Sequence, residues 1–235
     1  TFDKLLTSSE VNLSNAEIVS ALMQVIMILI TYQKCFNLTH NDLHTNNVMY
    51  IPTEKENIVY HYNNKYYKVP TFGRLYKIID FGRGIFNVNN KAFYSDAFSK
   101  DGDASNQYNE MPFYNPEKPI ISPNVSFDLC RLACSMFDIV IDDEKNDQEL
   151  NDPVCKLIHE WCLDDKGRNV LYKSNGEERY PGFKLYKMIV RTVTKHVPSK
   201  QLEKDIFDAY RVSKNKLNKK TKIINIDKIP CYYHL

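Results

Sequence analysis

Glycine is scarce in this chain, with seven among 235 residues, and nowhere do glycines fall as G-x-G-x-x-G. A phosphate cradle of that backbone type is therefore not encoded here. The six cysteines (Cys35, Cys130, Cys134, Cys155, Cys162, Cys231) contain no C-x-x-C pair, and no histidine or third cysteine completes a zinc pattern beside Cys130 and Cys134. Nor does the start of the sequence read as a secretory leader. Reduced thiols in an intracellular compartment such as a cytoplasm are the expectation. The longest unbroken apolar run, Val25 to Ile30, is far too short to cross a bilayer. Net charge is only +2, which gives no overall argument for nucleic acid or membrane. Its distribution is uneven: Lys187 to Lys228 carries twelve Lys and Arg against four Asp and Glu. A solvated basic helix and tail is the plain reading of that run, and nucleic acid is not expected as a partner. The first residue is Thr, so a segment upstream of it is expected.

What is present begins with helix signals. Ser14 stands three residues before Glu17 as a capping box, with Leu13 and Ile18 as its staple. Ile18, Leu22, Val25, Leu29 and Tyr32 then recur at helical spacing through about Lys34, and apolar residues fill the other faces, so this helix should be buried nearly all round. It runs into Thr39–Asn47, T-H-N-D-L-H-T-N-N, which has no period and is polar, as functional loops are. Val48 to Ile51 reads as a strand, Ile58 to Val69 as an aromatic-rich hairpin about Asn63-Asn64-Lys65, and Leu75 to Ile79 as a strand delivering Asp80-Phe81-Gly82. Asn87 to Asn124 is long and without period. Ser126 opens a second apolar helix through Val140, and an acidic connector spans Asp142 to Asp152. Helices follow at Pro153–Cys162, Phe183–His196 and Ser199–Asn215, with a loop at Asp164–Gly182.

The order His40–Asp42–Asn47, then Asp80-Phe81-Gly82, resembles the catalytic and metal-binding loops of the protein-kinase-like family, H-R-D-x-x-x-x-N followed by D-F-G. The resemblance implies a large, carboxy-terminal kinase lobe over 1–235. In that division 39–47 is the catalytic loop, 78–84 the D-F-G segment, 83–117 an activation-like segment and 126–235 a helical subdomain. The implied fold is mainly α with small β-hairpins. It further implies ATP and Mg²⁺ as cofactors, Asp42 as the base, and Asn47 and Asp80 as metal ligands and cofactor-binding residues. His40 would support Phe81. Asp128 would hydrogen-bond the catalytic-loop backbone, against the alternative of a plain carboxylate at a helix start. Asn115-Pro116-Glu117 falls where the family has A-P-E, and Arg168 is a candidate partner for that Glu. Loop capping by Asp42 and Asn47, or a metal site at His40, Asp42 and His44, are the competing readings of the same residues.

Departures from the pattern are specific. Asn41 replaces the family's usual Arg, so activation through a phosphorylated loop residue is not expected. His44 stands where serine/threonine kinases carry a Lys near the transferred phosphate. The D-L-H form and the aromatic hairpin are similar to haspin-like kinases, small-molecule phosphotransferases and kinase-like proteins of large DNA viruses. The amino-terminal lobe is absent from this chain, and a partner chain or an upstream segment would supply it. Three functions follow as expectations: a protein serine/threonine kinase with a protein substrate, a non-catalytic binding module (a pseudokinase), and a small-molecule phosphotransferase.

Overall fold

The computed structural model describes residues 1–142 and 148–233. A one-turn helix α1 (Phe2–Leu6) precedes the central helix α2 (Asn15–Phe36). Both bonds of the capping box form at its start: Ser14 Oγ accepts from Glu17 N, and Glu17 accepts from Ser14 N at 2.9 Å. Asn37 in the left-handed region ends it. Leu22, Met23, Val25, Ile26, Met27 and Leu29 are all fully buried, so α2 is the core on every side. Each such side chain contributes about 1.5–3 kcal/mol relative to exposure. By length and composition α2 could also cross a membrane, but most of it is packed inside the fold.

After the loop come four strands: β1 (Val48–Pro52), β2 (Asn57–Tyr62), β3 (Lys65–Pro70) and β4 (Arg74–Ile78). β2 and β3 form the expected hairpin, closed by Asn63 and Asn64, both at positive φ as a two-residue type I′ turn requires. β1 and β4 pair antiparallel with Val48 opposite Ile78. β4 is held to α2 by a buried amide: Gln24 Oε1 accepts from Tyr76 N at 3.0 Å and its Nε2 donates to Arg74 O. A further hairpin, β5 (Phe86–Val88) and β6 (Lys91–Phe93), turns on Asn89-Asn90 by the same positive-φ device. It lies at the head of the stretch that shows no period in sequence.

The carboxy-terminal half holds α3 (Phe127–Val140), α4 (Pro153–Trp161), α5 (Lys184–Thr192) and the short α6 (Pro198–Gln201). Asp152 caps α4, accepting from Val154 N and Cys155 N. Ser126 precedes α3 without a side-chain cap bond; instead Asn124 Oδ1 accepts from Ser126 N at 2.9 Å. The expected acidic connector falls partly on 143–147, outside the described residues.

The mainly α fold expected for a carboxy-terminal kinase lobe is corrected here. The structure is mixed, 37% helical and 18% strand, with the strands in three small sheets. Much of the difference arises in the basic carboxy-terminal stretch. The helix expected over Ser199–Asn215 stops at Gln201, and a 3₁₀ segment, Asp205–Tyr210, leads into β7 (Arg211–Val212). β7 pairs with β3, and β8 (Ile223–Asn225) runs parallel to β2, giving a four-stranded sheet ordered β7-β3-β2-β8. The edges of the aromatic hairpin offer unpaired backbone groups, and pairing with them overrides the helical preference of the basic segment.

Candidate active site

Thr39–Asn47 lies where α2, α3 and the β1–β4 pair meet. Thr39 N and Ile85 O bond at 2.9 Å, as do Ile85 N and Thr39 O, so the loop entrance is zipped to the segment after Gly84. Asp128, in the first turn of α3, is fully buried; its Oδ2 accepts from His40 N and its Oδ1 from Asn41 N, each at 2.9 Å. Burial pushes the Asp128 carboxyl up; the nearby His40 and the two N–H donors pull the other way. An aspartate merely facing a helix start would have left those two loop amides unpaired.

His40 is fully buried and uses both ring nitrogens. Nδ1 accepts from Asp42 N at 3.3 Å, which assigns the proton to Nε2, donating to Ile79 O at 2.8 Å. Its ring lies 5.0 Å from that of Phe81, which also meets Tyr32 edge-on at 5.5 Å. With both nitrogens so committed, the alternative metal site at His40, Asp42 and His44 has no free donor on His40. Among the described residues, no three His, Cys, Asp or Glu side chains converge as a metal site.

Asn41 is the residue whose role the sequence conceals. It sits at φ +65° and is fully buried. Its Nδ2 donates to Arg83 O at 2.9 Å and to the carbonyl and hydroxyl of Thr39, while its Oδ1 accepts from the Tyr108 hydroxyl. A neutral amide thus ties loop 39–47 to the segment 83–117. Burial drives the Tyr108 phenol well above its ordinary value, so it serves as a hydroxyl donor.

Asn47 and Asp80 are brought together by strand register. Val48 opposes Ile78, and Ile79 N donates to Asn47 O at 3.0 Å, so Asp80 emerges beside Asn47. Asn47 Nδ2 donates to Asp42 O at 3.0 Å, which orients the amide. Asp80 adopts φ +62° and is exposed; one of its oxygens accepts from Gly82 N at 3.3 Å. Among the described residues the Asn47 side-chain oxygen and the other Asp80 carboxylate oxygen accept no hydrogen bond. Hard oxygen donors of this kind are the type that would hold Mg²⁺, with Asn47 and Asp80 as the residues that would supply them.

Asp42 is engaged from a direction the sequence does not foretell. Its Oδ1 accepts from the Tyr186 hydroxyl of α5 at 2.6 Å, and its Oδ2 lies 3.5 Å from Arg83. Tyr186 in turn accepts from Arg131 Nε at 2.9 Å and stacks on Phe183. Arg131 and Arg83 lie 5.0 and 5.5 Å from its ring centre. Tyr186 falls 144 positions from Asp42, and no local spacing announces the pair. His44 is half-buried among the same groups. Burial first, then the Arg131 charge, hold its imidazole below the ordinary value, against the opposing pull of Asp42 and Asp80.

One weaker expectation, the pairing of Arg168 with Glu117, parts company with the geometry. Arg168 pairs with Asp164 at 2.6 Å, and among the described residues Glu117 makes no ion pair. No protein-family model matches the chain, and no curated protein matches it at a significant level.

Proposed function

We propose that this chain carries a protein-kinase-like phosphotransfer site, moving the γ-phosphoryl group of Mg²⁺-ATP to a hydroxyl of a protein Ser or Thr. The observation that carries the reading is the convergence of Asp42, Asn47 and Asp80. The Asn47 amide is fixed by Asp42 O, and strand register sets Asp80 beside it. A scaffold has no need of a partly exposed carboxylate beside an Asn and a second Asp held at such spacing.

In this reading Asp42 accepts the proton of the acceptor hydroxyl, while Asn47 and Asp80 would hold Mg²⁺. The metal, when bound, neutralises charge on the triphosphate. His40 and Asp128 hold the loop backbone so that the carboxylate does not reorganise during transfer. The reading also calls for a cover over the phosphates, a role that no G-x-G-x-x-G in this chain fills.

The test is phosphoryl transfer by the full-length protein with Asp42→Asn as control. Loss of transfer with an unchanged melting temperature supports the assignment; equal activity in the variant removes it. The engagement of both Asp42 oxygens favours one second reading, a non-catalytic binding module. That module shows no transfer and no rise in melting temperature with Mg²⁺-ATP.

A further inference from the structure

Both oxygens of the proposed base are occupied from within the chain. The distance from Tyr186 Oη to Asp42 Oδ1, 2.6 Å, is the distance a general base needs to an acceptor hydroxyl. We propose that the Tyr186 phenol stands in the acceptor position. An acceptor then enters by displacing it and brings a negatively charged group to the guanidiniums the phenol leaves behind. The inference rests on Asp42 being the base.

Two observations set the chemistry of the entering group. Arg131 donates to the phenol oxygen, and among the described residues it has no carboxylate partner. Arg83 approaches Asp42 only at 3.5 Å and lies over the same ring. Withdrawing the phenol removes the acceptor of the Arg131 bond and the Tyr186 ring contact of both guanidiniums, while Arg83 keeps its ring contact with Phe183. A hydroxyl flanked by a carboxylate or phosphate restores what is lost, because the guanidinium fork pairs bidentately with two oxygens of either anion. A hydroxyl flanked by Lys or Arg brings like charge to the same place. Tyr186 is therefore a specificity-determining residue: every acceptor competes with it for Asp42.

The energetic scale is that of one hydrogen bond to a charged group, which corresponds to roughly tenfold to a hundredfold in acceptor affinity. Tyr186→Phe removes only the hydroxyl and keeps the ring on Phe183.

The experiment measures transfer by the full-length wild-type protein and Tyr186→Phe to Ser peptides flanked by Glu, Ala or Lys. The expected result is a KM order Glu below Ala below Lys in both proteins. In the variant, KM for the Glu peptide falls about tenfold and the ATP KM is unchanged. A variant with reduced kcat at constant acceptor KM would show that Tyr186 merely positions Asp42, and overturns the proposal. Equal KM for the three peptides overturns the anionic-flank part. Absence of transfer in both proteins defeats the underlying phosphotransfer reading as well, and so is distinguishable from either of those results.

Discussion

Asp128 and Asn41, 87 positions apart, are joined by a 2.9 Å bond from a loop amide to a fully buried carboxylate. The other Asp128 oxygen does the same for His40. Asp128→Asn must turn an amino group toward one of those two N–H donors. A loss of about 1.5–3 kcal/mol in urea unfolding is expected, the range for hydrogen bonds to charged groups. An unchanged midpoint with unchanged m-value would mean the carboxylate contributes nothing to the loop.

Asn41→Ala should be as damaging for a different reason. It strips partners from Arg83 O and the Tyr108 hydroxyl, both drawn toward a buried side chain, and places Ala at φ +65°. Destabilisation on the order of 3 kcal/mol is expected, together with faster proteolysis within 83–117. Retained protease resistance of that segment would show that it is held elsewhere.

The imidazole of His44 offers a test that needs no activity. Burial and Arg131 hold its pKa below the ordinary value, so above that value it is neutral and charges only in more acid solution. Arg131→Gln removes the second of those causes. The His44 titration, followed by NMR, is expected to move upward toward the ordinary value, though not fully, because burial remains. A downward shift would contradict the arrangement.

Asp152 gives a pH dependence of stability with a definite sign. Burial raises its carboxyl, but bonds from the N–H groups of Cys155 and Val154 and the Asn15 amide outweigh that and leave the pKa below its ordinary 3.8. Its stabilisation is thus complete above the unfolded-state value and is lost as pH falls through the lower folded value. Asp152→Ala should cost about 1 kcal/mol at neutral pH, as a lost helix cap does. The gap between variant and wild type should close in strong acid. A gap that stays constant down to pH 2 would assign the effect to packing.

Metal dependence can be read thermally. Wild type should gain melting temperature with Mg²⁺-ATP, Asp80→Asn should gain much less, and chelator should abolish the gain in wild type. Equal stabilisation of the two proteins would take Asp80 out of the metal site.

Local chemistry was legible in the sequence wherever one short stretch decided the outcome. The capping box at Ser14 and Glu17, the all-round apolar α2, the Asn63-Asn64 turn and the paired strands β1 and β4 that lead to Asp80 are of this kind. So is the spacing that gathers His40, Asp42 and Asn47 in one loop. The β5–β6 hairpin was within reach too, since Asn89-Asn90 repeats the turn signal of Asn63-Asn64. Tertiary structure alone decided the rest. Basic residues about Arg211 and Ile223 became strands because the hairpin edges offered them partners, and that turned an expected mainly α fold into a mixed one. Asn41 looked like a missing arginine and is a buried hub, because its value lies in satisfying backbone and phenol groups remote in the chain. Tyr186 reached Asp42 across 144 residues. Propensity and spacing act over a few residues, whereas these contacts exist only once the chain has closed on itself.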